Sequence, residues 1–403
     1  MTRIRRSRRD ILKLGASVGG SLLAAREVAA LEPQPRSLGV PLGPYTERSP
    51  FEKATRAWRR ESKTPETGSS FTPLQESVGI LTPSALHYER HHSGVPTIDP
   101  SQHRLVIRGL VDRPLSLSMA DLKRLPSNSR ILAVECGGNS AGEWNAPGPD
   151  VQRTYGMVSG SEWTGVSLGL LLREVGVQAG AAWVIAEGGD ACRMMRSIPM
   201  AKAMDDTLLA YGQNGEALRP AQGYPLRLLN PGWEGNTNVK WLRTLTVASE
   251  PFMARDETSK YSDLMRDGKA RIFTYTMEAK SVITFPSGGE TLPGPALYEV
   301  TGLAWSGKGR IARVEVTFDG GRTWTDAQLQ EPRLPLALTR FRYAWHFDGR
   351  EAVFASRAID ESGYVQPSRA ELIAARGTNS IYHYNGIKFW RVAANGAVTH
   401  VEA

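Results

Sequence analysis

From about residue 270 onward, apolar and polar positions alternate with a period of two. Val314, Val316 and Phe318 fall on one side and Arg313, Glu315 and Thr317 on the other, the pattern of a half-buried strand. Similar runs recur at 297–303, 311–318, 341–347 and 352–359, separated by Gly, Asp and Pro turns such as Asp319-Gly320. This spacing predicts a small antiparallel sandwich with no long helix. Residues 81–250 mix periods instead. A strand is expected over 104–109, ending at Gly109. Ser118, with Asp121 three residues on, opens a capping-box helix over 119–125. A second helix is expected over 166–175, capped near Ser167 and stopped by Gly176. Strands follow at 182–186 and 239–247, and Asn214-Gly215 signals a hairpin. Residues 31–80, rich in Pro, Ser and Gly, read as an extended arm around the first domain, with one helical patch near 51–60.

The first thirty residues belong to a different class. Arg8-Arg9-Asp10-Ile11-Leu12-Lys13 precedes the apolar run Leu12 to Ala25, and Val28-Ala29-Ala30 offers a small-residue cleavage site. The pattern reads as a twin-arginine export signal, with Ile11 replacing the usual aromatic. That route carries folded proteins, so it points to the periplasm and to a cofactor inserted before export. The run is too short to span a membrane, and no later stretch approaches the ~20 apolar residues required. The formal charge is +8, of which residues 1–30 carry +5, so +8 − 5 leaves +3 for the remainder. No later basic cluster resembles a nucleic-acid patch. The divisions expected are a signal at 1–30, an arm at 31–80, a catalytic domain at 81–269 and a sandwich at 270–403.

Chemistry concentrates in four loops. The apolar run Ile131 to Val134 opens through Glu135 into Cys136-Gly137-Gly138-Asn139. A thiol at such a strand-to-loop edge suits a soft metal. Cys136 and Cys192 are the only cysteines, and a disulfide between them is the structural alternative. Neither sits in a haem attachment motif. Tyr88-Glu89-Arg90-His91-His92 packs cations and imidazoles so densely that it is either an anion or metal site or a solvated loop. Glu187-Gly188-Gly189-Asp190 lets backbone approach a ligand and gives Asp190 as an acceptor, unless it is only a turn. Arg227 and Lys240 could hold a phosphate, or could be surface charges.

In order and spacing these loops resemble the sulfite oxidase family of molybdopterin enzymes, over nearly the whole chain after residue 30. The resemblance rests on Glu135-Cys136-Gly137-Gly138-Asn139-Ser140, Met204-Asp205-Asp206, Pro231-Gly232-Trp233-Glu234-Gly235-Asn236, Asp256-Glu257-Thr258-Ser259-Lys260-Tyr261 and Ala375-Arg376-Gly377-Thr378-Asn379-Ser380. These runs look most like the sulfane (sulfite) dehydrogenase branch of that family. The resemblance implies a β-rich α+β fold, a molybdopterin domain followed by an immunoglobulin-like sandwich that mediates dimerisation. It implies a molybdenum-molybdopterin cofactor with Cys136 as the thiolate ligand. Tyr88, Glu89, Arg90, His91, His92, Asp190, Gln222, Arg227, Asn238, Val239 and Lys240 would hold the cofactor. Arg90 would also face the substrate, and Tyr261 would be the active-site phenol.

Two departures shape the expectation. Gln222 and Asn238 stand where sulfite oxidases carry His, and Ser140-Ala141 replaces an arginine pair. The site then offers less positive charge to free sulfite, which favours sulfur presented on a carrier protein. With no haem or iron–sulfur motif in the chain, a c-type cytochrome partner is implied, in a homodimer or a heterotetramer. The rival readings are an exported molybdenum sulfoxide reductase, which would usually lack the sandwich, and a non-enzymatic β-sandwich binding protein.

Overall fold

The computed structural model describes residues 41, 43–60 and 64–401. The expected export signal lies outside the described residues. The chain divides into two compact units, one ending at Lys53 and the other running from Ala54. In the first, Lys53 donates to the Pro50 carbonyl at 2.7 Å. All that follows concerns the second.

The helical patch expected near 51–60 is a strand where it was to end. Ala57–Arg60 pairs antiparallel with Gly68–Phe71, which also pairs with Arg90–His91. Tertiary pairing overrides local preference here. Gln152 donates to the carbonyls of Thr55 and Phe71, both at 2.9 Å, and so pins the pair down. This small sheet carries the histidine-rich loop.

Two larger sheets build the rest of the first half. One runs Glu216–Ala217, Leu208–Gln213, Val158–Ser167, Ser127–Glu135, with Arg227–Leu229 also on Leu208–Gln213. The other orders Leu115–Ser118, Arg104–Gly109, Leu242–Ala248, Trp183–Gly188 and Met195–Pro199. Pairing there is antiparallel, except that Leu242–Ala248 runs parallel to Arg104–Gly109. Ser118 and Asp121 make the reciprocal capping box at the start of Met119–Lys123. The second helix is shorter than expected, Leu168–Val175, because Val166 stays in its strand. Asn214 and Gly215 both take positive φ, 50° and 78°, as a tight hairpin turn requires. The strand expected at 239–247 begins only at Leu242, because Trp241 has φ 52°.

The C-terminal half is a sandwich. One sheet orders Lys280–Phe285, Ala296–Trp305, Thr339–Phe347 and Gln328–Leu329. The facing sheet orders Thr325–Asp326, Ile311–Thr317, Ala352–Asp360, Phe389–Val392 and Val398–His400. All four runs read from alternation are strands, and Val314 and Val316 point into the core. The only helix in this half among the described residues is Arg369–Arg376, two turns with its own Ser368–Glu371 capping box. The sandwich core also takes in Leu74, Ala133, Val151, Tyr155 and Val158, so one apolar cluster joins both halves.

Phe341 is fully buried in that cluster and lies over Gly302, its cross-strand partner. A Cβ on Gly302 would stand 2.1 Å from the Phe341 ring, so glycine is what makes room for it. Phe341→Ala is expected to destabilise the chain by about 3–5 kcal/mol, measured by denaturant unfolding.

Candidate active site

A cleft with about 620 Å³ of space, part of it open to solvent, lies where the small sheet, the Cys136 loop and the Gln222–Trp241 segment converge. Tyr88, Arg90, His91, His92, Cys136, Asp190, Gln222, Arg227, Asn238, Lys240 and Tyr261 all line it. Eleven of the thirteen residues singled out in the sequence are therefore brought together. Glu89 and Val239 are the exceptions. Glu89 turns to Arg56 and His91, and Val239 is buried in the apolar core beneath.

His91 and His92 of this loop both find partners, whereas His87 is buried with its Nε2 unpartnered among the described residues. No group of three or more His, Cys, Asp or Glu able to hold a metal occurs among the described residues. His87 is buried against Tyr88 and Trp163 with Nδ1 2.9 Å from the Tyr88 carbonyl, and burial pushes its pKa down to about 3. His91 lies between Lys240 Nζ, 2.9 Å from Nδ1, and Glu89, 3.1 Å from Nε2. While Lys240 is charged it can only donate, and Nε2 then carries the ring proton toward Glu89. Burial alone would raise the Glu89 pKa, but His91 and Arg56 bring it to about 2. His92 Nε2 is 3.2 Å from the Tyr261 hydroxyl, and burial followed by Arg90 pushes His92 down to about 3. His92 is thus neutral, and its Nε2 and the Tyr261 hydroxyl share one hydrogen bond. Burial and then Cys136 raise Tyr261 far above the usual phenol range.

Cys136 continues the edge of Ser127–Glu135, its amide donating to Met157 at 2.9 Å. Burial raises the thiol pKa, while the Gly138 amide and Arg90 favour the thiolate. Asn139 closes the loop by donating to Glu135 at 3.0 Å and accepting from the Met157 amide at 3.1 Å. Cys136 and Cys192 are both free thiols, so the disulfide alternative falls. Cys192 donates to Asp190 at 2.9 Å, and burial with that carboxylate pushes it up to about 11, so it stays protonated.

The same lining holds two cations with no carboxylate partner among the described residues. Buried Arg227 donates to the Gln222 and Asn238 carbonyls at 3.1 and 3.3 Å, and its Nε has no partner. Lys240 donates to the carbonyls of Arg90 and Ala221 at 3.1 and 3.0 Å. Burial and then Arg227 push Lys240 down to about 7. Gln222 and Asn238 also line the cavity, but protein partners engage both amides. Gln222 bridges the Tyr88 carbonyl and Arg227, and Asn238 bonds Trp233, Glu234 and Asn230. A buried arginine and a half-buried lysine without carboxylate partners, with an unpartnered Nε, suit a bound anion such as a phosphate. A buried sulfur in the same lining suits a soft metal.

A second cavity, about 300 Å³, lies behind the Cys136 loop, which lines both. It is lined by Glu234, Arg376 and His383, none given a role from the sequence. His383 lies against Glu234 and 3.5 Å from Asp263, and Arg376 reaches Asp263 at 3.4 Å and Glu278 at 3.5 Å. Arg376 sits inside one of the recognised runs, but only the fold brings it under Cys136.

Residues 92–255 match the profile of the oxidoreductase molybdopterin binding domain, and 271–389 that of the Mo-co oxidoreductase dimerisation domain. Sulfite oxidase of Gallus gallus is 33% identical over 314 residues, 72% of this chain and 68% of the relative. A nitrate reductase of Hordeum vulgare is 34% identical over 80% of this chain, which spans only 42% of that enzyme. The crystal structure of the sulfane dehydrogenase SoxCD from Paracoccus pantotrophus superposes with a TM-score of 0.90 at 44% identity, covering 93% of this chain and 98% of that one. With cations for a phosphate and a thiol for the metal, the cavity fits the molybdenum cofactor these relatives indicate. The chain belongs to the sulfite oxidase family of molybdopterin oxidoreductases.

Proposed function

We propose that this chain is a periplasmic molybdenum dehydrogenase. It oxidises sulfane sulfur on a carrier protein, or sulfite, and delivers electrons to a c-type cytochrome subunit. The observation that supports this most is the convergence of Cys136, Arg90 and Tyr261 on one cavity with two unbalanced cations. The cofactor, when bound, supplies oxygen-atom transfer to sulfur and takes up two electrons. Cys136 would hold the metal as a thiolate. Arg227 and Lys240 hold the pterin phosphate, with Asp190 accepting from the ring. Gln222 and Asn238 act by fixing Arg227 and the neighbouring backbone.

Arg90 orients the anionic end of the substrate. Its Nη1 donates to the Gly68 and His91 carbonyls, which holds the guanidinium in place. Tyr261 stays a phenol, oriented by neutral His92, beside the reacting sulfur. Ser140 turns away, its Oγ 3.3 Å from Lys280 Nζ, so the loop adds no charge to the cavity. That favours sulfur delivered on a carrier over free sulfite. The match of 271–389 to a dimerisation domain supports assembly through 270–403 and weighs against the sulfoxide reductase reading. Export follows the twin-arginine route, and the described residues hold no helix long and apolar enough to cross a membrane. The deciding assay measures cytochrome c reduction with free sulfite and with a sulfur-loaded carrier protein. High efficiency on sulfite with no gain from the carrier leaves plain sulfite dehydrogenase.

Cys136→Ser is expected to abolish turnover while leaving pterin content near normal, because other groups hold the pterin. Metal and pterin analysis beside a rate assay checks it.

Arg90→Gln should raise KM about ten- to a hundredfold, from a lost charge-assisted contact of about 1.5–3 kcal/mol. Tyr261→Phe should lower kcat more than it raises KM. Steady-state kinetics separates the two.

Lys240 bears charge below pH 7 and loses it above in the cofactor-free chain. Sulfate, whose own charge is constant, should therefore bind more tightly at pH 6 than at pH 8, by up to about tenfold. Lys240→Met should flatten that dependence in a calorimetric titration.

A further inference from the structure

The loop that carries Cys136 is gripped from the C-terminal sandwich at both ends. Lys280 Nζ lies 2.5 Å from Glu135 Oε1 and 3.3 Å from Ser140 Oγ, so one ammonium spans the residues on either side of the cysteine turn. Trp305 Nε1 donates to the other Glu135 oxygen at 2.8 Å. Further along, Lys388 Nζ lies 2.8 Å from Glu143 Oε1, an ion contact rather than an aligned hydrogen bond. Arg369 donates to the carbonyls of Glu143 and Trp144 at 3.4 and 3.2 Å. The His383 amide donates to the Gly137 carbonyl, next to the cysteine, at 2.9 Å.

Both ion pairs are dry, with all four side chains at most 7% exposed. Buried pairs contribute little net stability compared with apolar residues of the same size, but they fix geometry, because a carboxylate has few places to go. Two such pairs converge on a single eleven-residue stretch, 135–145. We propose that the sandwich is a positioning frame for the Cys136 loop, with Lys280 and Lys388 as its positioning residues. It is then more than an assembly surface. The kinetic part of this proposal rests on Cys136 being the metal ligand.

The test uses the full-length, cofactor-loaded protein with Lys280→Met, Lys388→Met, and the charge-neutral pairs Glu135→Gln/Lys280→Met and Glu143→Gln/Lys388→Met. The neutral pairs keep a foldable sample if a lone buried carboxylate unfolds the singles. Amide hydrogen exchange is read by region, with kcat, KM and assembly state. Amides of 137–145 are expected to exchange at least tenfold faster in the neutral pairs, while Ala296–Trp305 and Thr339–Phe347 keep their protection. Over the same variants kcat should fall at least tenfold, KM should move less than twofold, and assembly should stay intact. Uniform loss of protection across all strands would show mere structural glue and overturn the proposal. So would neutral pairs with wild-type exchange in 137–145, or faster exchange with unchanged kcat. A Cys136→Ser variant that keeps turnover sinks the ligand reading instead, whatever the exchange pattern shows.

Discussion

Arg227 and Lys240 set the terms for everything around them. A buried guanidinium and a half-buried ammonium stand without a carboxylate partner among the described residues, which is unfavourable unless an anion joins them. The chain offsets part of the cost with carbonyls and with indole faces. Arg227 lies 4.8 Å from the Trp163 ring centre, and Lys240 lies 4.5 Å from that of Trp241. The backbone is bent to achieve this. Gly223, at φ 108°, comes so near Lys240 that a Cβ would stand 3.1 Å from the lysine Cβ. Trp241 accepts a left-handed φ that ends the pairing of its strand. An anion bound between the two cations removes the penalty, so ligand binding and folding stability are coupled through these side chains.

The sandwich was legible because alternation around Val314 and Val316 is joined by strand-like runs cut at Gly, Asp and Pro turns, whereas Lys280–Phe285, buried along its length, carries no alternation. The hairpin at Asn214-Gly215 was equally plain, since two consecutive positive φ values leave few residues to choose from. Elements decided by distant partners were not. Ala57–Arg60 is a strand only because Gly68–Phe71 lies beside it, and Val239 sits in a candidate binding run yet points into the core. At the site, residues in compact loops were visible as clusters. Glu234, Asp263, Arg376 and His383 come from three separate segments, and only the fold places their charges in one buried network. Lys280 and Lys388 were invisible for the same reason, each a single lysine in a β-rich stretch.

The shared apolar cluster packs the two halves against each other. Ala133 and Val158 lie on the strands flanking Cys136 and pack into the same core as Trp305 and Phe341. The Ala133 amide donates to the Leu336 carbonyl at 2.8 Å, so the strand leading to the cysteine is bonded from the sandwich side as well. A displacement of the sandwich is therefore passed to the loop through close packing, which deforms in discrete steps rather than smoothly.

The charge of the cavity is also unusually constant. His87 and His92 are held neutral far below physiological pH, and burial lowers His91 too. Gln222 and Asn238, at positions the resemblance would fill with imidazoles, remove two more titratable groups. Arg227 remains charged even though burial lowers it to about 10. Lys240 is left as the group able to change charge near neutrality, and a bound phosphate holds it protonated, because an adjacent anion favours the cationic form. A loaded site of this kind keeps one electrostatic character on both sides of neutral pH. On the function proposed above, its selectivity depends on how the substrate's anionic end is presented to Arg90, which is a matter of shape and delivery rather than of protonation.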